Sequence, residues 1–303
     1  MTFIDQLKSL LQEEQILLQE PMSRHTTFQT GGPADYFLLP KKEELAELIG
    51  LCKAENMPFM LIGNGSNLLV SDEGIRGCVI CIGSQMNAIH TEGKELHVEA
   101  GAMLSQAAAE ARRQSLTGLE FASGIPGTVG GALVMNAGAY GGEMKDVLKS
   151  VCVLNRDGSE EKLTKEQYQG SYRSSAIMKN GAIVLSAVFS LEEGDQDAIT
   201  EKMKELNGKR REKQPLEYPS AGSTFKRPEG YFAGKLIQDS GLSGYQVGGA
   251  QVSEKHCGFV INKGGASSTD IYQLMQDCIQ KVKEDTGVIL EPEVRLIGNF
   301  RKS

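Results

Sequence analysis

The stretch FASGIPGTVGGALVMNAGAYGG, residues 121–142, constrains the fold more than any other part of the chain. It is apolar, dense in glycine and nearly free of charge. Glycine removes the side chain that holds neighbouring backbones apart, so such a run serves where main chain must press against something flat or extended. Within it, GIPGTVGGA spaces Gly124, Gly127, Gly130 and Gly131 through apolar surroundings. On the residues alone two readings stand: close packing of a helix on a sheet, or a main-chain cradle for an extended ligand. A second glycine loop, GNGSN at residues 63–67, follows a buried-strand pattern, PFMLIG. It offers main-chain N–H groups with few side chains in the way, and Ser66 and Asn67 as further donors, which suits a diphosphate. Taken alone, a tight turn after a strand explains it as well. The dinucleotide pattern GxGxxG fails because Leu68 stands in place of the third glycine. No GK[ST] follows, so it is not a P-loop. Two such loops in one chain fit an extended diphosphate cofactor better than packing alone.

The bulk composition narrows the class. A chain of 303 residues has room for two or three domains. Its net charge of -7 argues against general binding to nucleic acid or to anionic membrane surfaces. The start, MTFIDQLKSLLQEEQ, is acidic and amphipathic and does not read as a secretory signal. No apolar run reaches the roughly 20 residues of a membrane span. The six cysteines lie scattered in apolar segments, which reads as reduced, buried thiols and a cytoplasmic setting. Cys78 and Cys81 form a CxxC, but on a strand that spacing points the two thiols to opposite faces, so a core role is expected and no metal.

Periodicity supplies the elements. Ile4, Leu7, Leu10 and Leu11 predict a helix from Thr2, its N-cap, to about Glu20. Leu45, Leu48, Ile49 and Cys52 make the stripe of a second helix. Strands are expected in PFMLIG, GCVICIG, ELHVEAG, VLKSVCVLN and AIVLSAVFSL, and an alanine-rich helix from Leu104 to about Arg113. A polar helix from Gln196 to about Arg211 ends in the cationic run KRREK and leads to the last third of the chain. There, strands near QVGGAQV and GFVIN precede a long helix opened by Ser267 and Asp270 in a capping-box pattern. The final stretch VILEPEVRLI reads as a strand. If uninterrupted, it turns Val288, Leu290, Val294 and Leu296 to the core and Glu291, Glu293 and Arg295 the other way, although Pro292 can kink it. The class is α+β.

TGGPADYF, LIGNGSNLLV, FASGIPGTVGGALVMNAGAYG, YRSS, AGSTFKRP and LEPEVRLIG stand in this order over nearly the whole chain. Together they resemble the UDP-N-acetylenolpyruvoylglucosamine reductase (UDP-N-acetylmuramate dehydrogenase) family of bacterial peptidoglycan precursor synthesis. The resemblance implies an FAD-binding domain of the p-cresol methylhydroxylase type, made of two α+β subdomains, and a C-terminal α+β substrate domain. Mapped onto this chain, residues 1–20 are an N-terminal helix, 21–200 the FAD-binding domain with its subdomains divided near 72–78, and 201–303 the substrate domain. FAD is expected against Gly63, Asn64, Gly65, Ser66 and Asn67, and against Gly124, Ile125, Pro126, Gly127, Thr128, Gly130, Gly131 and Ala132. NADPH is expected as co-substrate and UDP-N-acetylglucosamine enolpyruvate as substrate.

The resemblance also implies three catalytic residues. Ser223 is implied as proton donor; on composition alone, Gly222-Ser223 reads as a turn with a local hydroxyl hydrogen bond. Arg173 matches the catalytic arginine, whose guanidinium can meet a carboxylate with two hydrogen bonds; the alternative is an ion pair at a surface or between domains. Glu293 matches the catalytic glutamate, the alternative being a solvated strand face. Lys213, Lys226 and Arg227 are expected to meet the substrate's anionic groups, with the charged end of a helix as the competing account of KRREK. The interval from Arg173 to Ser223 is too short for the insertion and tyrosine-bearing loop of the longer family type. Tyr172, Tyr218 and Tyr245 are therefore all candidates to cover the sugar nucleotide. His25, His90, His97 and His256 all lie outside the glycine loops, so the flavin is expected to be held non-covalently. Two rival readings are a flavin oxidase of the same superfold and a non-catalytic flavin or nucleotide-sugar carrier.

Overall fold

A computed structural model describes residues 2–300, which divide into two compact units, each built from separated chain segments. One comprises Met1–Leu17, Phe37–Asn64 and Val79–Arg210; the other comprises Leu18–Tyr36, Gly65–Cys78 and Arg211–Ser303. A four-stranded sheet takes the order Ile16–Pro21, Pro33–Leu38, Ile75–Cys81, Phe59–Ile62, and the chain passes from one unit to the other inside the first three of these strands. Among the described residues no helix is long and apolar enough to cross a membrane.

The first unit is organised on a five-stranded antiparallel sheet, in the order Glu160–Thr164, Leu148–Leu154, Ile183–Ser190, Glu95–Glu99, Ile89–Glu92. Period-two burial selects its inner face: Val151, Ala187 and Val98 lie in register across three strands and are all buried. The helix Leu104–Arg113 covers it with Leu104, Ala107, Ala108 and Ala111, whose spacing of three and four residues makes one narrow apolar stripe. The helix Lys42–Ala54 buries Leu45, Leu48, Ile49 and Cys52, as its periodicity predicts, and the chain leaves it through Asn56 at φ 50°.

The glycine-dense run contains an element the sequence did not announce, a short helix Val129–Met135 capped by Thr128, whose Oγ1 accepts the N–H of Gly131 at 3.3 Å. Glycine is a poor helix former, but here contact decides. Gly130 N donates to Ala100 O at 2.8 Å, and a Cβ on Gly130 would stand 3.0 Å from the Ala100 Cβ.

In the second unit the three-stranded antiparallel sheet Gln246–Val247, Ala250–Val252, Val260–Asn262 is packed by the helix Ser268–Thr286. That helix has the predicted capping box of Ser267 and Asp270, buries Ile271, Leu274, Met275, Cys278 and Val282, and ends at Gly287 in the left-handed region. Asp72 binds its first turn from outside, accepting the N–H of Ser268 and of Thr269 at 2.8 Å each and the Thr269 hydroxyl at 2.7 Å. A carboxylate there answers both the unpaired amides and the positive end of the helix dipole.

Two expectations change. The first helix spans only Phe3–Leu10, with the predicted Thr2 cap; a 3₁₀ turn Glu13–Gln15 follows, and only then does the chain enter the strand Ile16–Pro21. The last strand is confined to Arg295–Ile297, parallel to Leu68–Val70. Pro292 has no N–H for a ladder, and here it forms only an isolated bridge to Phe225. Leu290 and Val294 are buried as the alternation requires, but Leu296 beyond the interruption is exposed.

Two glycines make opposite predictions. Gly65 has φ +61°, and a Cβ there would lie 1.9 Å from the His25 carbonyl oxygen. Gly50, inside an exposed helix face, has nothing within 4 Å. Gly65→Ala is expected to lower stability by more than ~1 kcal/mol, and Gly50→Ala to raise it by about 0.5–1 kcal/mol. Urea denaturation of the two variants checks both signs.

Candidate active site

The loop carrying Ser223 is built around its neighbour. Gly222 at φ +76° turns the chain and leaves Ser223 exposed, while Thr224 is fully buried. Thr224 N donates to Gly258 O at 2.8 Å, and its Oγ1 accepts the N–H of Val260 at 2.9 Å. On its other side Thr224 O accepts the N–H of Glu293 at 2.8 Å, and Lys226 N donates to Glu291 O at 2.8 Å. Ser223 and Glu293, 70 positions apart in number, are thus held on adjoining segments of one unit. Glu293 is half-buried, and Asn67 fastens it again: Asn67 Nδ2 donates to Glu293 O at 3.1 Å and Asn67 O accepts from Arg295 N at 2.9 Å.

The three predicted cations have different settings. Lys226 pairs with Glu291 at 3.1 Å, both side chains being well exposed; such a pair is worth only ~0–1 kcal/mol and is readily exchanged for another partner. The Arg227 guanidinium lies over the Phe232 ring, 4.0 Å from its centroid, and its Nε donates to Tyr231 O at 3.3 Å. Lys213 is exposed at the last position of the helix Gln196–Lys213. Of the three tyrosines, Tyr172 is exposed, Tyr218 is half-buried, and Tyr245 is exposed with its hydroxyl donating to Asp277 at 2.8 Å.

Arg173 belongs to the other unit, at the tip of a tight turn closed by reciprocal hydrogen bonds between Ser171 and Ser174. Its φ of 52° is a left-handed conformation for a residue with a Cβ, at a cost of about 1–2 kcal/mol. The glycine-dense run braces this turn: Asn136 Nδ2 donates to Ser171 O at 3.1 Å and to Glu143 at 2.8 Å, and the Ser175 hydroxyl donates to Val134 O at 2.8 Å. The guanidinium sits 5.1 Å from the Tyr172 ring centroid. Lys145 chiefly, and more distantly the Arg173 charge, hold the Glu143 carboxyl below its ordinary range.

In that same unit Gly63 and Asn64 meet the second glycine loop. Asn64 Nδ2 donates to Pro126 O at 2.7 Å, and a Cβ on Gly63 would stand 2.3 Å from Thr128 Oγ1. Gly65, Ser66 and Asn67 belong to the second unit, where Thr27 N donates to Gly65 O at 3.4 Å. The donor set fits FAD. Residues 63–67 and 124–132 hold no carboxylate and offer amide and hydroxyl donors. Gly131 is exposed, a Cβ there meeting only Thr128 Oγ1 at 3.5 Å. Beside Gly65, the Thr27 hydroxyl is buried without a partner among the described residues. All six cysteines are free, and burial pushes the Cys81 thiol up to about 11. Among the described residues no three His, Cys, Asp or Glu side chains gather as metal ligands do.

Sequence reasoning overlooked the residues that hold these candidates. Arg210 and Asn207, three apart on one helix, reach the glycine run: Asn207 Nδ2 donates to the Ser123 hydroxyl at 3.2 Å, and Arg210 Nη1 donates to Gly124 O. Burial lowers the Arg210 guanidinium from its ordinary range. Within KRREK it looks like one more surface cation; the signal was its spacing from Asn207. Thr224 was equally silent, a small polar residue beside a more conspicuous serine.

Comparison with known proteins identifies the family. A family model described as FAD binding domain matches residues 33–164, and one described as UDP-N-acetylenolpyruvoylglucosamine reductase, C-terminal domain, matches residues 214–297. The UDP-N-acetylenolpyruvoylglucosamine reductases of Lachnoclostridium phytofermentans and Agathobacter rectalis are each 54% identical, covering 97% and 99% of this chain and the same shares of their own. The crystal structure of UDP-N-acetylenolpyruvylglucosamine reductase from Thermus caldophilus superposes with a TM-score of 0.80 at 36% identity, over 93% of this chain and 98% of that one. The chain therefore belongs to the UDP-N-acetylenolpyruvoylglucosamine reductase family of FAD-dependent oxidoreductases.

Proposed function

We propose that this protein reduces UDP-N-acetylglucosamine enolpyruvate to UDP-N-acetylmuramate for bacterial peptidoglycan precursor synthesis, with NADPH as the source of reducing equivalents and cytoplasm as its setting. The observation that carries the reading is the hydrogen-bonded junction at Thr224, which joins the Ser223 loop to Glu293 in a chain 54% identical to named reductases. When bound, FAD supplies the hydride chemistry between nicotinamide and enolpyruvyl ether.

The residues of this chain do the rest. Gly63, Asn64, Gly65, Ser66 and Asn67, with residues 124–128 and 130–132, hold the cofactor through main-chain and neutral side-chain donors, which suits a diphosphate without a covalent link. Lys213, Lys226 and Arg227 bind the substrate's diphosphate and carboxylate. As the terminal carbon of the enolpyruvyl group is reduced, negative charge builds on its carboxylate. Arg173 meets that charge with a planar, permanently charged pair of donors. Glu293 in its protonated form donates a further hydrogen bond there. Ser223 Oγ delivers its proton to the adjacent carbon. An alcohol is a weak acid, but a carbanion beside cations is a strong base, and the alkoxide left behind is stabilised by the same cations.

The reading is tested by anaerobic titration. NADPH is expected to bleach the flavin, and the enolpyruvyl sugar nucleotide to restore its colour; absence of bleaching would point to the carrier alternative, and bleaching that the sugar nucleotide does not reverse to the oxidase. For Ser223→Ala, FAD binding is expected to persist and reoxidation by substrate to fall by ~10²–10⁴-fold, the usual consequence of losing a general acid. Ser223→Cys is expected to regain part of the rate, since a thiol also donates. Stopped-flow reoxidation of the two variants decides it: a rate within about tenfold of wild type in Ser223→Ala, a barrier change of only ~1.4 kcal/mol, means another group delivers the proton. Arg173→Lys keeps the charge but loses the fork. It is expected to slow reoxidation by about 10–100-fold, less than the ~10²–10³ of deleting such a donor, while NADPH still reduces the flavin. Equal damage to both half-reactions would show that Arg173 is not dedicated to the carboxylate.

A further inference from the structure

His256 is exposed, yet the chain holds its ring on several sides. Nδ1 accepts the main-chain N–H of Gly258 at 3.0 Å. The Phe259 ring meets it edge-on, with centroids 5.0 Å apart and planes at 67°. Room for the ring comes from two glycines: a Cβ on Gly258 would stand 2.8 Å from Cε1, and one on Gly234 3.3 Å from the same atom. The turn beneath is tied as well, Ser253 Oγ accepting from Lys255 N at 3.2 Å and His256 N at 3.3 Å, while Phe259 N donates to His256 O at 2.9 Å. Fixing an exposed side chain costs rotamer entropy that surface burial does not return, so this much support marks a ring whose orientation matters.

The support also selects a tautomer. With Nδ1 accepting, a neutral imidazole carries its proton on Nε2. Burial of the ring's inner edge keeps its pKa below the ordinary histidine range, which favours that neutral form. Among the described residues nothing accepts from Nε2. The turn is joined to the candidate active site by one hydrogen bond, Thr224 N to Gly258 O at 2.8 Å, and Thr224 follows Ser223 directly.

We propose that His256 is a substrate-binding residue whose Nε2–H donates to an anionic oxygen of the sugar nucleotide beside Ser223. The inference rests on the function proposed above. Lys226 and Arg227, on the loop after Ser223, supply charge through long stems. His256 adds a neutral donor of fixed direction, which sets where the oxygen sits rather than how strongly it is attracted.

Two isosteres separate this role from that of a structural peg. A glutamine nitrogen reaches where Nε2 lies; an asparagine oxygen reaches where Nδ1 lies. The holoenzyme is reduced anaerobically with dithionite and its reoxidation followed against enolpyruvyl sugar nucleotide concentration, with melting temperature measured alongside. His256→Ala is expected to raise the half-saturating concentration about 10–100-fold, as loss of a hydrogen bond to a charged group does, with the limiting rate within about threefold, the mark of lost uniform binding. His256→Gln is expected to restore most of the affinity and His256→Asn little of it. Competition by UDP alone locates the oxygen: weakened in parallel, it lies on the diphosphate; unchanged, on the carboxylate. Saturation of His256→Ala like wild type, or rescue by Asn and not Gln, overturns the proposal. Failure of wild type to be reoxidised at all overturns the functional reading first, and this inference with it.

Discussion

The candidate site in the second unit depends on the pairing of one buried residue. Thr224 has no exposed surface, and its N, O and Oγ1 are bonded to two other segments, N and Oγ1 to Gly258 and Val260 on one and O to Glu293 on the other. Each such bond adds only about 0.5–1.5 kcal/mol net, but a partner lost leaves a buried polar group unmet at ~1–3 kcal/mol. Valine has the same shape and lacks the hydroxyl that Val260 N requires. Because these two segments converge on one residue of the Ser223 loop, the spacing of Ser223, His256 and Glu293 is set by interior packing and not by the exposed residues themselves.

Of the two sequence readings of the glycine run, packing or cradle, packing accounts for some of its residues and leaves others open. Gly130 is pressed on Ala100, and Gly63 on Thr128, at distances only main chain allows. Gly131, one position on, is exposed with ordinary van der Waals contact alone. Arg210 and Asn207 then fix the run from its neighbouring helix. A surface made of main chain has no side chains of its own to stiffen it, so stiffness is imported.

Helices with long apolar stripes were legible because 3.6-residue periodicity is a local property: Lys42–Ala54, Leu104–Arg113 and Ser268–Thr286 fall where the stripes lie, within a few residues. The first helix was overextended because Leu11 continues its stripe although the chain turns there to pair as a strand. The Val129–Met135 helix was hidden because its glycines answer to Ala100, a residue of another element. For the site, residue types and their order pointed to Arg173, Ser223 and Glu293 through family resemblance. Their supports were illegible, since Thr224, Asn67 and Asn136 act through contacts across tens or hundreds of positions. The left-handed φ of Arg173 has no signature in the sequence at all.

The segmented second unit imposes an order on biosynthesis. Its core joins Phe28 and Leu69 to side chains from Ala221 to Val294, and Asn262 Nδ2 closes on Phe28 O at 3.0 Å. A ribosome adding about 5–20 residues per second releases Phe28 and Leu69 long before their partners exist. For that interval two apolar side chains wait without a core, while the segments meant to cover them are still being made. Contacts of such sequence separation slow folding through the entropy of closing their loops. The nascent chain is therefore most exposed to misassociation in the middle of its synthesis, and becomes safe only when the strand Arg295–Ile297, among the last described residues, pairs with Leu68–Val70.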